Sequence, residues 1–158
     1  MKLKGKKIEG ANEALIVIPR GSGDDIILKA KAVLDMDAFE KICPPPEPPK
    51  KMLPGGKKVS NPKSKGYLKE VQSYGEKRLI YMVLMSLQAT EDLEWDTIDM
   101  EDHTTWNNLR KELRDSGFSD VEVNRIIGEC INVNALNDEK IEEARDRFLL
   151  EAQEPEEE

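Results

Sequence analysis

Hydrophobic and polar positions divide the chain into a front with strand-like periodicity and a back with helical periodicity. The run "ALIVIP", Ala14 to Pro19, is short and rich in β-branched residues. "DIILKAKAV", Asp25 to Val33, alternates Leu28, Ala30 and Ala32 with Lys29 and Lys31, as a half-buried strand does. "RGSGDD" between them carries Gly21 and Gly23 and predicts a hairpin connection. Lys2 to Glu9 adds a third, edge strand, whose lysines discourage unwanted pairing. "LDMDAFEKIC" predicts a short helix from Asp37 to Ile42, ended by Pro44. Two or three strands alone make a marginal sheet. This front is therefore expected to pack on the helical part or on a neighbouring subunit.

The back predicts four helices. The first runs from about Tyr67 to Ala89, with Leu68, Val71 and Tyr74 on one apolar face. Its second half, "LIYMVLMSL", is apolar on nearly all sides, which marks a buried central helix. "TEDLEWDTIDMEDHTTW" sets Leu93, Trp95, Ile98 and Met100 among acids, in the manner of an irregular loop tucked onto a core. Asp102 or Thr104 caps the next helix, which carries Trp106, Leu109 and Leu113 and stops at Gly117. Ser119 and Glu122 form an S-x-x-E capping box, with Phe118 placed to staple onto Val123. The stripe Val123, Ile126, Ile127, Cys130 and Ile131 follows. Asn137 caps a fourth helix, with Leu136 to staple onto Ile141 and with Ile141, Ala144, Phe148 and Leu149 as its inner face.

The expected fold class is α+β. It comprises a β-hairpin or meander module with a short helix (1–43), a Pro/Gly/Lys-rich linker (44–66), a bundle of about four helices (67–150) and an acidic tail (151–158). Seven of the nine prolines lie between Cys43 and Gly66. Their first part, Pro44 to Pro49, is expected to be stiff and the Gly/Ser/Lys part flexible. "PPPEPPKK" also holds the P-x-x-P-then-base grammar of an SH3-type ligand, though a spacer is the plainer reading.

Charge sharpens this division. Residues 1–66 hold 14 Lys+Arg against 8 Asp+Glu, and residues 67–158 hold 10 against 24, so the net −8 splits into +6 and −14. A basic front can be a nucleic-acid arm or a complement to acidic protein. The lysines from Lys50 to Lys65 have no interleaved aromatics and no reading helix, so specific nucleic-acid recognition is not expected. The longest apolar run, "LIYMVLM", is far too short to span a bilayer. "MKLKGKKIEG" has no apolar stretch behind its bases and does not fit a secretory signal. Cys43 and Cys130 fit no metal spacing and read as free thiols of a reducing compartment.

Candidate chemistry is sparse. His103 stands among Asp99, Glu101 and Asp102, but no second histidine or cysteine lies at ligand spacing, and a helix start explains the acids more simply. The acids from Glu91 to Asp102 have the composition of a calcium loop without its order or its glycine. "RGSGDD" leads into no helix and so offers no phosphate cradle. Nothing forms a nucleophile, base and orienter set. No catalytic, cofactor-binding or metal residues are expected, and the protein reads as a non-enzyme.

The stretch "LEWDTIDMEDHTTWNNLRKELRDSGFSDVEVNRIIGECINVNALNDEKIEEARDRFLL", with the preceding "YMVLMSL", resembles tail assembly chaperones of long-tailed phages. The resemblance lies in "W…L…L…GFS…EV…I", an Asn-rich break and "LNDEKIEEARDRFL", and covers roughly residues 67 to 150. It implies a mostly helical protein of the host cytoplasm, without cofactor, that binds the tape-measure protein while tail-tube protein polymerises around it. The tape-measure protein, the major tail protein and a second copy of the chain are the expected partners, with no membrane involved. A structural tail or neck protein, using the β module and linker as an arm, is the alternative. A chaperone of a long helical client needs apolar grooves. Met82, Leu84, Met85, Trp95 and Trp106 are the candidates to line one, although ordinary core is the plainer reading of each.

Overall fold

The computed structural model describes residues 1–8, 10–21, 23–134 and 138–151. The protein is α+β, with three antiparallel strand pairs and five α-helices among the described residues. In chain order these are β1 (Lys2–Leu3), β2 (Lys6–Lys7), β3 (Glu13–Ile18), β4 (Ile26–Lys31), α1 (Asp37–Ile42), β5 (Lys50–Met52), β6 (Lys58–Ser60) and α2 (Lys65–Leu87). A 3-10 turn (Trp106–Asn108) then leads into α3 (Leu109–Asp115), α4 (Asp120–Val133) and α5 (Asp138–Glu151).

Two compact units emerge, each discontinuous in sequence. The first holds residues 1–34, 85–93 and 119–158, and the second holds 35–84 and 94–118. The boundaries therefore do not follow the prolines. Packing joins the front strands to α4 rather than leaving a separate β module.

In the first unit β3 and β4 pair from Glu13↔Lys31 to Ile18↔Ile26. Alternation sends Ile16, Ile18, Leu28 and Ala30 inward, where all four are buried. They pack on α4, whose Val123, Ile126, Cys130 and Val133 are buried at helical spacing. The α4 start is the expected capping box: the Glu122 N–H donates to Ser119 Oγ at 3.3 Å, and the Ser119 N–H donates to Glu122 Oε2 at 2.8 Å. The other carboxylate oxygen of Glu122 accepts from Arg20 in the hairpin loop, pinning that loop to the helix.

Asn134, just past α4, knots three segments of this unit together. Its Oδ1 accepts from the Val33 N–H at 2.8 Å, and its Nδ2 donates to the buried Ser86 Oγ at 2.9 Å and to the Cys130 carbonyl at 2.7 Å. Thr90 protects the outer edge of β4, because its Oγ1 accepts from the Lys29 N–H at 2.8 Å and donates to the Lys29 carbonyl at 3.0 Å.

The second unit has a different core. Phe39 of α1 meets Tyr74 at 5.1 Å, Tyr81 at 5.6 Å and Trp106 at 6.0 Å between ring centroids, and Tyr81 meets Trp106 at 4.8 Å. The acidic stretch before Trp106 folds back on α3 through one buried carboxylate. Glu112 accepts from the N–H of Asp96 at 2.5 Å, from the N–H of Thr97 at 3.0 Å and from the Thr97 hydroxyl. Gly117, at φ +97°, ends α3 in a Schellman pattern: its N–H donates to the Arg114 carbonyl, and that of Phe118 to the Leu113 carbonyl.

Several expectations change. Residues 2–7 form no third strand of the hairpin. Lys4 and Gly5, with φ of 49° and 77°, turn the segment back so that β1 pairs with β2. Lys50 to Ser60 is paired structure rather than flexible chain: β5 meets β6 from Lys50↔Ser60 to Met52↔Lys58 across a Pro54-Gly55-Gly56 tip. Of the face expected on the first half of α2 only Tyr74 turns inward, for Leu68 and Val71 are exposed at 54% and 40%; Leu79, in the half expected to be buried, is exposed at 41%. The second half is buried as expected at Tyr81, Met82, Val83, Leu84, Ser86 and Leu87. Ile141 is exposed at 42%, off any inner face of α5. The expected cap at Asn137 with its Leu136 staple, and the side chains of Ala144, Phe148 and Leu149, fall outside the described residues, as does the tail from 152.

Candidate functional site

Within the second unit lies an open groove of about 260 Å³. One wall is the chain leaving α1, with Cys43, Pro44 and Pro46. The other is a single face of α2, because Glu70, Ser73, Tyr74 and Lys77 recur at the three- and four-residue steps that stack side chains on a helix. His103 closes one end. Pro44 stops α1 and leaves the following residues extended, so the Pro-rich segment supplies a wall.

The polar chemistry centres on Lys77 and His103, whose Nζ and Nδ1 atoms are 3.0 Å apart. An ammonium can only donate, so Nδ1 is the acceptor in this contact. The His103 ring also stands edge-on to Trp106, 6.2 Å between centroids, which fixes its orientation. The adjacent Asp102 accepts through Oδ1 from the N–H and hydroxyl of Thr104, and those bonds hold its carboxyl below the usual range. Burial, with Glu40 and Cys43 adding to it, raises the Tyr74 hydroxyl above its ordinary value of 10.0 and keeps it protonated. The groove thus offers two proline rings, a tyrosine face, a fixed cation and the Glu70 carboxylate. That suits noncovalent recognition of a short side chain.

The five residues expected to line a client groove differ in exposure. Met82, Leu84 and Trp106 are buried in the second unit, Trp106 completely, with its indole N–H donating to the Asp99 carbonyl at 3.0 Å. Trp95 in that unit and Met85 in the first are half-buried. Core and docking residues share the same chemistry, and here the plainer reading prevails for the three interior ones.

Apolar exposure lies elsewhere. Leu68, Val71 and Leu79 fall on one face of α2. Leu15, Val17 and Ile27 form the outer face of the β3–β4 hairpin. Sequence reasoning assigned the first set to the interior and the second to no role. Among the described residues no group of three His, Cys, Asp or Glu could hold a metal ion, and no helix is long and apolar enough to cross a membrane. No protein-family model, curated protein or solved structure matches the chain.

Proposed function

We propose that the protein is a non-enzymatic assembly chaperone of long-tailed phages. It holds the tape-measure protein in the host cytoplasm until the tail-tube protein, a second partner, encloses it. The observation that carries this reading is the sequence pattern from Leu93 to Leu150, with its "GFS…EV…I" and "LNDEKIEEARDRFL" blocks. The α2 stripe of Leu68, Val71 and Leu79 supports it, since an exposed apolar helix face is a surface on which a long helical client can lie. In this reading the front hairpin, the Pro-rich stretch and the helical part from 67 to 150 act on one client. Co-expression with the tape-measure protein of the same genome is the test. The client should become soluble and co-purify, and Leu68→Asp with Leu79→Asp should reduce both. A client that stays insoluble and unbound removes the proposal.

One observation favours the alternative of a structural tail or neck protein. Among the described residues β3 has no strand partner besides β4, and Leu15 and Val17 are exposed on its outer face, an arrangement that suits joining subunits by strand addition. Mass spectrometry of purified particles separates the two: a chaperone is absent, whereas a structural part is present at stoichiometric copy number.

A further inference from the structure

Residues 48–69 contain seven lysines and no acid, within a chain of net charge −8. Four of them, Lys50, Lys51, Lys57 and Lys58, sit on the β5–β6 ribbon, and all four are exposed. The ribbon register extends past the strands: the Leu53 N–H donates to the Lys57 carbonyl at 2.8 Å, and that of Asn61 to the Pro49 carbonyl at 2.8 Å. Paired residues share a face. One face therefore carries Lys50, Met52, Lys58 and Ser60, and the other Lys51, Leu53, Lys57 and Val59. Each face has two cations and one exposed apolar side chain, Met52 or Leu53. The tip is a tight turn through Pro54, closed by the Gly56 N–H donating to the Leu53 carbonyl at 3.0 Å, with Gly55 and Gly56 both at positive φ. Only Val59 of the two strands is half-buried, so core packing does not account for the ribbon's composition.

We infer that the β5–β6 ribbon is a sequence-nonspecific arm for duplex DNA, entering the major groove with its two lysine-bearing faces toward the two phosphate walls. A flat acidic protein surface would engage one face and leave two lysines unpaired. An occupant anionic on both sides uses all four. The major groove of B-DNA admits a two-stranded ribbon, whereas the major groove of duplex RNA is too deep and narrow for side chains to read. Lysines without arginine, asparagine or glutamine at the ribbon positions fit phosphate contact rather than base readout. Lys63, Lys65 and Lys69 continue the basic track beyond the ribbon. DNA binding by the ribbon holds whether or not the helical part carries a client.

Fluorescence anisotropy of the full chain against a labelled random-sequence DNA duplex, across a salt series, tests this. Binding should weaken steeply with salt. K50Q/K51Q/K57Q/K58Q should lower affinity at least tenfold and reduce the log–log salt slope by about 3–4. K2Q/K4Q/K6Q/K7Q, which removes the same charge from β1, β2 and the turn between them, is the charge-matched control and should lower affinity less than the ribbon variant does. Unchanged far-ultraviolet circular dichroism shows that both variants fold, the altered positions being exposed. Four results each overturn the assignment: no binding at low salt, equal loss in both variants, binding to polyglutamate as tight as to DNA, or RNA duplex bound as tightly as DNA.

Discussion

The two units are built from different hydrophobic chemistry. Seven of the eight aromatic residues, all but Phe148, lie in the segments of the second unit. Its interior is a ring cluster of Phe39, Tyr74, Tyr81 and Trp106. The first unit buries Ile16, Ile18, Leu28, Val123, Ile126 and Val133 with no described aromatic. A low aromatic content overall thus conceals a strongly uneven one. The difference also extends to polar anchors. In the first unit a neutral amide, Asn134, gathers three segments. In the second a carboxylate, Glu112, fastens a loop that is itself acidic. Backbone N–H groups make that arrangement stable, since a carboxylate accepting several of them needs no cation.

Trp106→Ala should have the largest effect. The indole is fully buried, and truncating such a side chain costs about 3–5 kcal/mol through lost transfer energy and the cavity left behind. Urea denaturation should register the loss, and near-ultraviolet circular dichroism should lose much of its ring-cluster signal. Trp106→Phe should keep most of that packing and lose the hydrogen bond to the Asp99 carbonyl. If the two variants lose equal stability, the hydrogen bond and not the ring cluster anchors the second unit. Asn134→Ala comes next, at about 2–3 kcal/mol, because it leaves the Val33 N–H, Ser86 and Cys130 carbonyl without their partner. Its near-ultraviolet signal in the folded state should stay close to that of the parent, since the described ring contacts are in the other unit. A change comparable to that of Trp106→Ala would erase the distinction between the units.

What was legible in the sequence follows from how local each signal is. The β3–β4 hairpin, α1 and α4 were readable because β-branched alternation, a following proline and an S-x-x-E box act within a few residues. The β5–β6 ribbon was not, because lysines on both faces remove the apolar alternation that marks a strand. Leu68 and Val71 carry a helical period that burial does not follow, and nothing local distinguishes an exposed apolar face from an inward one. The groove is legible on one side only: Glu70, Ser73, Tyr74 and Lys77 share a helix face by spacing, but their meeting with Pro44, Pro46 and His103 is a tertiary event. Glu112 did leave a signal. It occupies the i+3 position of an inward stripe with Leu109 and Leu113, where a carboxylate implies a buried acceptor.

A smaller effect concerns pH and belongs to the first unit. The Glu122 carboxyl is held below its ordinary value of 4.5, first by the Ser119 N–H and next by Arg20. A depressed folded value stabilises the fold fully above the ordinary carboxylate range, and that contribution is lost as pH falls from about 4.5 through the lower folded value. Glu122→Gln should therefore be less stable than the parent at neutral pH. The gap between their denaturation midpoints should close in acid. A gap that is constant with pH would show that neither the Ser119 N–H nor Arg20 favours the ionised carboxyl.

The smallest perturbation is chemical labelling of the two cysteines, one in each unit. Both are buried free thiols, but their surroundings differ. Cys43 lines the groove at the end of α1 and is 5% exposed. Cys130 is fully enclosed between α4 and the hairpin, where burial, with Glu129 adding to it, pushes its thiol up to about 12. Reaction requires the thiolate and access to it. A disulfide reagent at neutral pH should thus modify Cys43 in a faster phase and Cys130 only as its surroundings open. Cys43→Ser should abolish the fast phase and leave the slow one unchanged. Mild denaturant should accelerate the Cys130 phase more, since opening controls it. Cys130 reacting first would reverse the picture. The aliphatic unit, despite its tighter enclosure of the thiol, would then be the one that opens more readily.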